Sequence, residues 1–429
     1  MKRTRVVCAA MALQLLPVAA LAQEHGGGEL TLEDALRSAK KRNRSLVAER
    51  ARLAQAQTNV EQAWSSLFPT VAVQGRYTHN YKQFELGFAG TPLLLQPTNQ
   101  LDGVFSMSAP LVAPAAYPAL AAVKAGVQAS EANFDVSENA VLISVAQMFY
   151  AAAIADEMVL ARQSSLNVAR ATLANATSRF EAGTVTKVDV DRAQMAVLRA
   201  DQMEREARDG QAHTYRALST LIEKEGPFTV KLQAMEPEMH DEGDLASSLH
   251  LRPEFRALEA AAKMADEQAR AYKWRWAPTV SAFGNARKFN YDNFVRDRHS
   301  WALGAQLDWV LYDGGIRDAQ RHLAEAQMAE AQAKAEVLRA SIRDALHDGR
   351  RKLETKAAGV KTAERSVDLA KGTVELVRVQ YESGATTQVE LLQAQDALVA
   401  AQERLAQAHY DLAAADLALR HAAGTFPPR

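Results

Sequence analysis

The sequence predicts a mainly α-helical chain with two structural repeats and a transmembrane β part, and three observations support this fold class. A glycine-centred segment, FEAGTVTKVDVDRAQ from Phe180, returns in diverged form as YESGATTQVELLQAQ from Tyr381. Apolar residues recur at every seventh position before both copies, which is typical of long, closely packed helices. Short segments that alternate apolar and polar residues precede each pair of long helices, and such alternation is typical of strands.

The N-terminus has the pattern of an export signal. A basic head precedes the apolar run Val6–Leu16, and the small residues Ala20-Leu21-Ala22 follow it. We predict a signal peptide over residues 1–22, removed from a mature chain that begins near Gln23. The alternative, an N-terminal membrane anchor, needs about 20 apolar residues, and this run is shorter. No other run approaches that length, so we expect no membrane-spanning helix.

Composition argues against several classes of protein. The 429 residues carry a formal net charge of −1 with both signs interspersed, so we expect no nucleic-acid partner. The single cysteine, Cys8, lies within the predicted signal peptide, which leaves no disulfide in the mature chain. No nucleophile elbow, zinc-protease or phosphate-loop motif occurs, and the histidines are scattered singly. We therefore predict no enzyme, no cofactor and no metal site.

Each repeat is predicted to run from a helix through two strands into a long helical hairpin. The first repeat covers 23–222, with a helix at about 30–66, strands at about 69–81 and 101–112, and a hairpin turn at 181–187. The second covers 244–429, with a helix at 244–276, strands at about 278–290 and 299–312, and a turn at 382–388. A stretch rich in glycine and proline, 223–243, joins the two as a linker.

The hairpins are predicted from their seven-residue period. Val360, Val367 and Val374 lead in sevens to Tyr381, and leucines continue the period after the turn. Such a period keeps one stripe against a partner helix and imposes a left-handed supercoil. The helix expected from about 115 to 182 would measure roughly 100 Å at ~1.5 Å per residue. We expect positive φ at Gly183 and Gly384, where the chain reverses.

The strands carry the pattern of an outer-membrane barrel. In SWALGAQLDWVLYDGG, apolar residues from Trp301 to Leu311 occupy one face, with tryptophan near each end. Strands of about ten residues with one apolar face and aromatic girdles are typical of such barrels, whereas a soluble sheet with one buried face is the alternative. We assign the membrane interface to four aromatic residues, Trp301, Trp309, Tyr77 and Tyr81. Four strands cannot close in lipid, so several chains would share one barrel.

In combination, three features resemble the TolC-type outer-membrane efflux family over essentially the whole mature chain. They are LFPTV at the end of the first helix, the WALGAQLDWVLYDGG segment, and two G-x-x-T turns that lead into Val-Asp or Val-Glu. The resemblance implies a homotrimer in which each chain gives four strands to a shared 12-stranded β-barrel and long coiled helices to a periplasmic α-barrel.

The resemblance also implies a function. The chain would be the exit duct of a tripartite efflux or type I secretion system in the cell outer membrane. Its partners would be outer-membrane lipid, a periplasmic adaptor (membrane-fusion) protein and an inner-membrane pump. The alternative is a non-channel periplasmic coiled-coil scaffold protein, which leaves the tryptophan-bearing strands unexplained.

Site residues follow from the same resemblance. Adaptor docking falls on the two turns, at Gly183, Thr184, Val185, Gly384, Ala385 and Thr386. The pore constriction falls on Glu390 and Gln393, so one of the family's two acidic positions is kept. Tyr381 and Asp189 correspond to a hydrogen-bonded pair between neighbouring hairpins. Thr386 stands where the family has an arginine, so the salt bridge of that arginine to Asp189 is missing.

Overall fold

The structure, a computed structural model, describes residues 28–88, 91–231, 249–291 and 297–427. The predicted signal peptide, 1–22, lies outside these residues, as does most of the predicted linker, from 232 onward. The elements of the first half are β1 (Glu29–Leu30), α1 (Leu32–Arg42), α2 (Arg44–Ser65), β2 (Thr70–His79), β3 (Phe84–Phe88), β4 (Thr91–Gln96), β5 (Asn99–Val112), α3 (Ala116–Glu181) and α4 (Lys187–Ile222).

In the described residues, the second half repeats the order of a short strand, a helix, two strands of the main sheet and a long helical hairpin. Its elements are β6 (Thr229–Val230), α5 (Pro253–Trp274), β7 (Thr279–Phe289), β8 (His299–Asp308), α6 (Ile316–Glu382) and α7 (Gln388–Ala423). Strand β8 ends at Asp308, whereas the sequence predicts a strand to 312. Helix α5 begins at Pro253, where a proline at the first position suits a helix start.

The helix predicted at 30–66 is broken at Asn43, which ends α1 and begins α2. The Asn43 side-chain oxygen accepts hydrogen bonds from the backbone N–H groups of Ser45 and Leu46, at 2.9 and 3.3 Å. Its amide nitrogen donates to the carbonyl oxygen of Leu221 at 2.9 Å. Asn43 is buried. Its side chain caps the start of α2 in place of two helical hydrogen bonds, and it also binds a distant part of the chain.

Strands β2, β5, β7 and β8 form one antiparallel sheet in that order. Residues directly opposite each other share a face, and the register aligns Val73 with Phe105, Phe105 with Ala286, and Ala286 with Trp301. One face, here called the apolar face, therefore carries Val71, Val73, Tyr77, Leu101, Phe105, Met107, Ala109, Val280, Ala282, Gly284, Ala286, Trp301, Leu303, Ala305 and Leu307, with Lys288 and His299 as polar exceptions near one end. Val73 and Leu303 are 80% and 78% exposed, so the residues that the structure describes leave this face uncovered there.

The opposite face of the sheet is mainly polar. It carries Thr70, Gln74, Arg76, Asp102, Ser106, Ser108, Ser281, Asn285, Arg287, Ser300, Gln306 and Asp308. Phe283 and Phe289 are aromatic exceptions on this face. The Phe283 ring lies across Gly304 on the next strand, so that a Cβ at Gly304 would be 2.9 Å from the ring. The sheet thus has one face suited to lipid and one suited to water.

The helices below the sheet form a layer in the order α4, α3, α7, α6. Helix α3 packs against both α4 and α7, and α7 packs against α6, while α2 and α5 fill the part nearest the sheet. Leu353, Val360 and Val367 of α6 are buried at intervals of seven, and Tyr381 is buried two intervals further on, as predicted for a helix seam. Helices α4 and α6 lie at opposite edges of this layer.

The main hydrophobic core lies midway along the layer. Leu142, Val145 and Phe149 of α3 pack there with residues of α1, α4 and α7. By length and composition, α3 also has a window apolar enough to cross a membrane, which the sequence analysis did not expect. Because this helix supplies the core of the layer, we interpret the window as core-forming sequence.

Candidate functional site

The two hairpin turns, here called the first tip (181–187) and the second tip (382–388), have the same backbone design. Gly183 and Gly384 have φ of 72° and 79°, which confirms the predicted positive values. At the first tip, Thr184 N donates to Arg179 O and Gly183 N to Phe180 O, both at 2.9 Å. The second tip repeats both bonds. This pair of bonds is a Schellman motif, which ends a helix by satisfying its last carbonyl groups.

The first tip uses Asp189 to begin α4. Its carboxylate accepts hydrogen bonds from the backbone N–H of Thr186 at 3.0 Å and from the Thr186 hydroxyl at 2.8 Å. It also lies 3.6 Å from the guanidinium of Arg192, one turn further along α4. The carboxylate therefore has partners within its own helix start, an arrangement that the Thr-x-x-Asp spacing would have predicted.

Tyr381 does not meet Asp189 within the chain. The Tyr381 side chain is buried and its hydroxyl has no hydrogen-bond partner. A different residue contacts it: the guanidinium of Arg179 lies 4.8 Å from the centre of the Tyr381 ring. Neither Arg179 nor Gln388 was predicted from the sequence as a residue of this site. Gln388 is 3% exposed, and both of its amide atoms are unpartnered.

Glu390 and Gln393 both lie on the exposed side of α7. Their neighbours Leu391 and Ala394 are buried against α6, so the two polar side chains point away from the hairpin seam. Glu390 lies in the first turn of α7, where its N–H donates to the Thr387 hydroxyl at 3.4 Å. Thr386 is half-buried and its hydroxyl has no partner. One exposed carboxylate per chain therefore lies just behind the second tip.

The aromatic residues assigned to the membrane interface fall at both ends of the sheet. Trp301 and Tyr77 belong to the apolar face, and Tyr81, which follows β2, is 92% exposed. Trp309 lies beyond the end of β8, where its Nε1 donates to the carbonyl oxygen of Trp276 at 3.1 Å. Further exposed aromatic residues, which the sequence analysis missed, join Trp309 at this end: Trp64, Phe68, Trp274, Trp276 and Tyr312.

Arg317 fixes the junction between the sheet and the helices. Its guanidinium lies 3.8 Å from the centre of the Trp276 ring and donates to the carboxylate of Asp313 at 2.7 Å. It also donates to the carbonyl oxygen of Arg275 at 3.0 Å. These contacts join the start of α6 to the end of α5. In the part of the chain that the structure describes, no group of three or more histidine, cysteine or acidic side chains is arranged to hold a metal ion.

Known proteins resemble this chain in sequence and in fold. A family model described as outer membrane efflux protein matches residues 35–223 and 245–425. The outer membrane efflux protein BepC of Brucella suis is 24% identical over 291 residues, which are 66% of this chain and 62% of that protein. The alkaline protease secretion protein AprF of Pseudomonas aeruginosa is 26% identical over 311 residues, which are 69% of this chain and 63% of that protein. The chain thus spans just under two thirds of the length of these relatives.

The same likeness holds for solved structures. The outer membrane protein VceC of Vibrio cholerae superposes with a TM-score of 0.77 at 19% identity, over 92% of this chain and 96% of that chain. This match confirms the predicted fold class, a mainly helical chain with a membrane β part. The predicted location in the outer membrane is confirmed as well. Because the family model covers both repeats, the chain belongs to the outer membrane efflux protein family.

Proposed function

We propose that three copies of this chain form an outer-membrane channel, the exit duct of a tripartite efflux or type I secretion system. One observation carries this proposal. In the described residues, the sheet ends in the edge strands β2 and β8, and the helical layer ends in the edge helices α4 and α6, so both can be extended by a neighbouring copy. An open sheet in lipid leaves unpaired backbone groups, each of which costs several kcal/mol. Copies of the same chain satisfy those groups when β8 of one pairs with β2 of the next.

The apolar face argues that the sheet lies in lipid. It extends across four strands, with Lys288 and His299 as polar exceptions near one end, and aromatic residues flank it at both ends. A patch of this extent on a soluble protein would drive association or aggregation. A periplasmic scaffold with no membrane part, the second candidate, gives this face no partner. We therefore favour the channel.

The helical layer argues for copies side by side. On α4, Val188 and Met195 face away from the buried seam and are 54% and 62% exposed. On α6, Leu369 and Leu376 do the same at the opposite edge, at 74% and 67%. Both pairs are spaced by seven residues and lie within a few turns of the tips. Packing α4 of one chain against α6 of the next would bury both stripes and extend the coiled layer into a closed barrel.

The tips suit the far end of such a duct. Each chain supplies two tips, so a trimer presents six at one mouth, where a periplasmic adaptor and through it an inner-membrane pump would dock. The exposed Glu390 carboxylates of three chains would form an acidic ring just inside this mouth. In such a system the inner-membrane pump would select the substrate. The names of BepC and AprF are consistent with efflux and with protein secretion.

Fractionation and electrical recording test this proposal together. We expect the protein in the outer-membrane fraction as a trimer that resists SDS at low temperature and dissociates on heating. In planar lipid bilayers, the purified trimer should form cation-preferring channels. A soluble periplasmic monomer that needs no detergent would refute the membrane channel and support the scaffold. A membrane trimer without conductance would refute the duct alone.

A further inference from the structure

Arg179, near the end of α3, reaches across to the second tip of the same chain. Its Nη1 donates to the carbonyl oxygen of Tyr381 at 2.9 Å, and its Nη2 donates to the carbonyl oxygen of Glu382 at 3.0 Å. The face of the same guanidinium stacks on the Tyr381 ring, with 4.8 Å from Cζ to the ring centre. One side chain thus makes three contacts with the other hairpin, and its planar group is suited to making them together.

These contacts lie at the C-terminal end of α6, where a bound cation stabilises the helix. Tyr381 and Glu382 are the last two residues of α6, a helix of 67 residues. The last carbonyl groups of a helix carry its negative partial charge. The Tyr381 oxygen accepts the N–H of Gly384 at 3.1 Å and has a second lone pair for Arg179. A cation that binds them gains both hydrogen bonds and a favourable interaction with the helix dipole. Arg179 therefore acts as a C-terminal cap for α6 that comes from a different hairpin.

The internal repeat supplies the residues for this contact within a chain, but not for the equivalent contact between neighbouring chains. Aligning Gly183 with Gly384 places Gln380 in the second repeat where the first has Arg179. The same alignment matches Tyr381 with Phe180, which is 43% exposed. The counterpart of this contact, in which the second tip of one chain would meet the first tip of its neighbour, thus lacks both the arginine and the tyrosine. The contact within a chain is therefore the stronger of the two.

Other buried groups at the second tip oppose this arrangement. The Tyr381 hydroxyl, the Thr386 hydroxyl and the Gln388 amide are buried without hydrogen-bond partners. Buried polar groups without partners are destabilising, and water would satisfy them if the second tip moved away from the first. The closed arrangement of the two tips thus depends on the contacts of Arg179.

We propose that Arg179 is a positioning residue that clasps the two tips of one chain, so that they move at the mouth as a single body. This proposal rests on the proposed channel function. It assigns the holding interaction to an arginine and two backbone carbonyl groups, and not to the Tyr381 hydroxyl with Asp189. Loss of the clasp frees the second hairpin, which carries Glu390, and widens the mouth.

Single-channel recording of purified trimers tests the clasp. In Arg179→Met, which keeps a long side chain but loses the charge and the donors, we expect the occupancy of high-conductance states to rise about tenfold or more, since charge-assisted hydrogen bonds are lost. Arg179→Lys keeps the charge but can neither bridge both carbonyl groups nor stack as a plane, so it should fall between wild type and Arg179→Met.

Two matched variants serve as controls. Arg378→Ala removes the same charge near the second tip, and among the described residues Arg378 pairs with Glu375 and Glu382 of its own helix. Tyr381→Phe removes the unpartnered hydroxyl and keeps the stacked ring and both carbonyl acceptors. We expect Arg378→Ala to conduct like wild type, Tyr381→Phe to open far less than Arg179→Met, and all four variants to keep the heat-dissociation temperature of the wild-type trimer.

The outcomes separate the clasp from the channel function. Wild type without channels would defeat the proposed function. Wild-type channels with Arg179→Met unchanged would overturn the clasp alone. Opening in Tyr381→Phe equal to that in Arg179→Met would assign the hold to the hydroxyl and overturn it too. Failure of Arg179→Met to assemble as a trimer would move Arg179 from the mouth to assembly, which also contradicts the proposal.

Discussion

The exposed leucines of α6 allow a direct test of how neighbouring chains meet. Leu376 is 67% exposed in the single chain, and we expect Met195 and Val188 of a neighbouring α4 to cover it. Complete burial of a leucine side chain contributes about 1.5–3 kcal/mol, so covering the exposed two thirds contributes about 1–2 kcal/mol at each seam. The change Leu376→Ala removes most of this contribution.

Hydrogen exchange of the detergent-solubilised trimer, measured by mass spectrometry, detects this loss of stability in individual segments of the chain. A loss of about 1–2 kcal/mol should lower the protection of peptides from the last turns of α6 by about 5- to 30-fold. The matched control is Leu160→Ala on α3, because Leu160 is equally exposed at 66% but α3 has α4 on one side and α7 on the other. Equal protection of the α6 peptides in Leu376→Ala and Leu160→Ala would refute the side-by-side arrangement of α6 and α4.

Three further predictions address the mouth, the second tip and the middle of the layer. Glu390→Ala should reduce cation selectivity in planar bilayers, because three like charges concentrate negative potential at a narrow ring. Unchanged selectivity would place the constriction elsewhere. Gly384→Val should abolish adaptor binding in a pull-down while the trimer persists, because a β-branched residue is strained at φ 79°. Gly372→Ala, in open space on α6, should bind the adaptor normally. Burial, and then the charge of Arg252, lower the pKa of His421, although Glu254 opposes them. The folded state therefore favours the neutral ring, and thermal stability should fall as the pH drops below about 6.5. His421→Gln should show a smaller drop between pH 7 and pH 5.5 by circular dichroism, and an equal drop would assign the effect to other groups.

The long helices and their turns could be predicted because their signals are local and periodic. Heptads such as Val360 and Val367 fix which side of α6 is buried, and a single glycine marks each reversal. The break at Asn43 could not be predicted in the same way. Asparagine is only mildly unfavourable within a helix, and here its amide finds the carbonyl oxygen of Leu221, far away in the chain. Tertiary contact decided this boundary.

The candidate site was predictable to a different degree at each residue. The tip glycines follow from the internal repeat, whereas Glu390 follows from the resemblance to the efflux family. The role of Arg179 could not be predicted, because its acceptors are the backbone carbonyl groups of residues far away in the sequence. Every residue has a carbonyl group, so residue type does not show which of them accepts a hydrogen bond. Asp189 illustrates the opposite case. Its carboxylate serves the start of its own helix, and the Thr186 three residues earlier was a visible sign of that role.

The order of strands in the sheet has a consequence for how the protein reaches its folded state. The central pair, β5 and β7, joins residues such as Met107 and Gly284, and the whole of α3 and α4 separates them along the chain. Pairing over such separations is slow, because the entropy of closing a long loop must be overcome first. During synthesis, β2 and β5 therefore emerge long before β7 and β8, with the apolar face uncovered. Export delivers a chain that depends on protection from aggregation until its last strand has arrived.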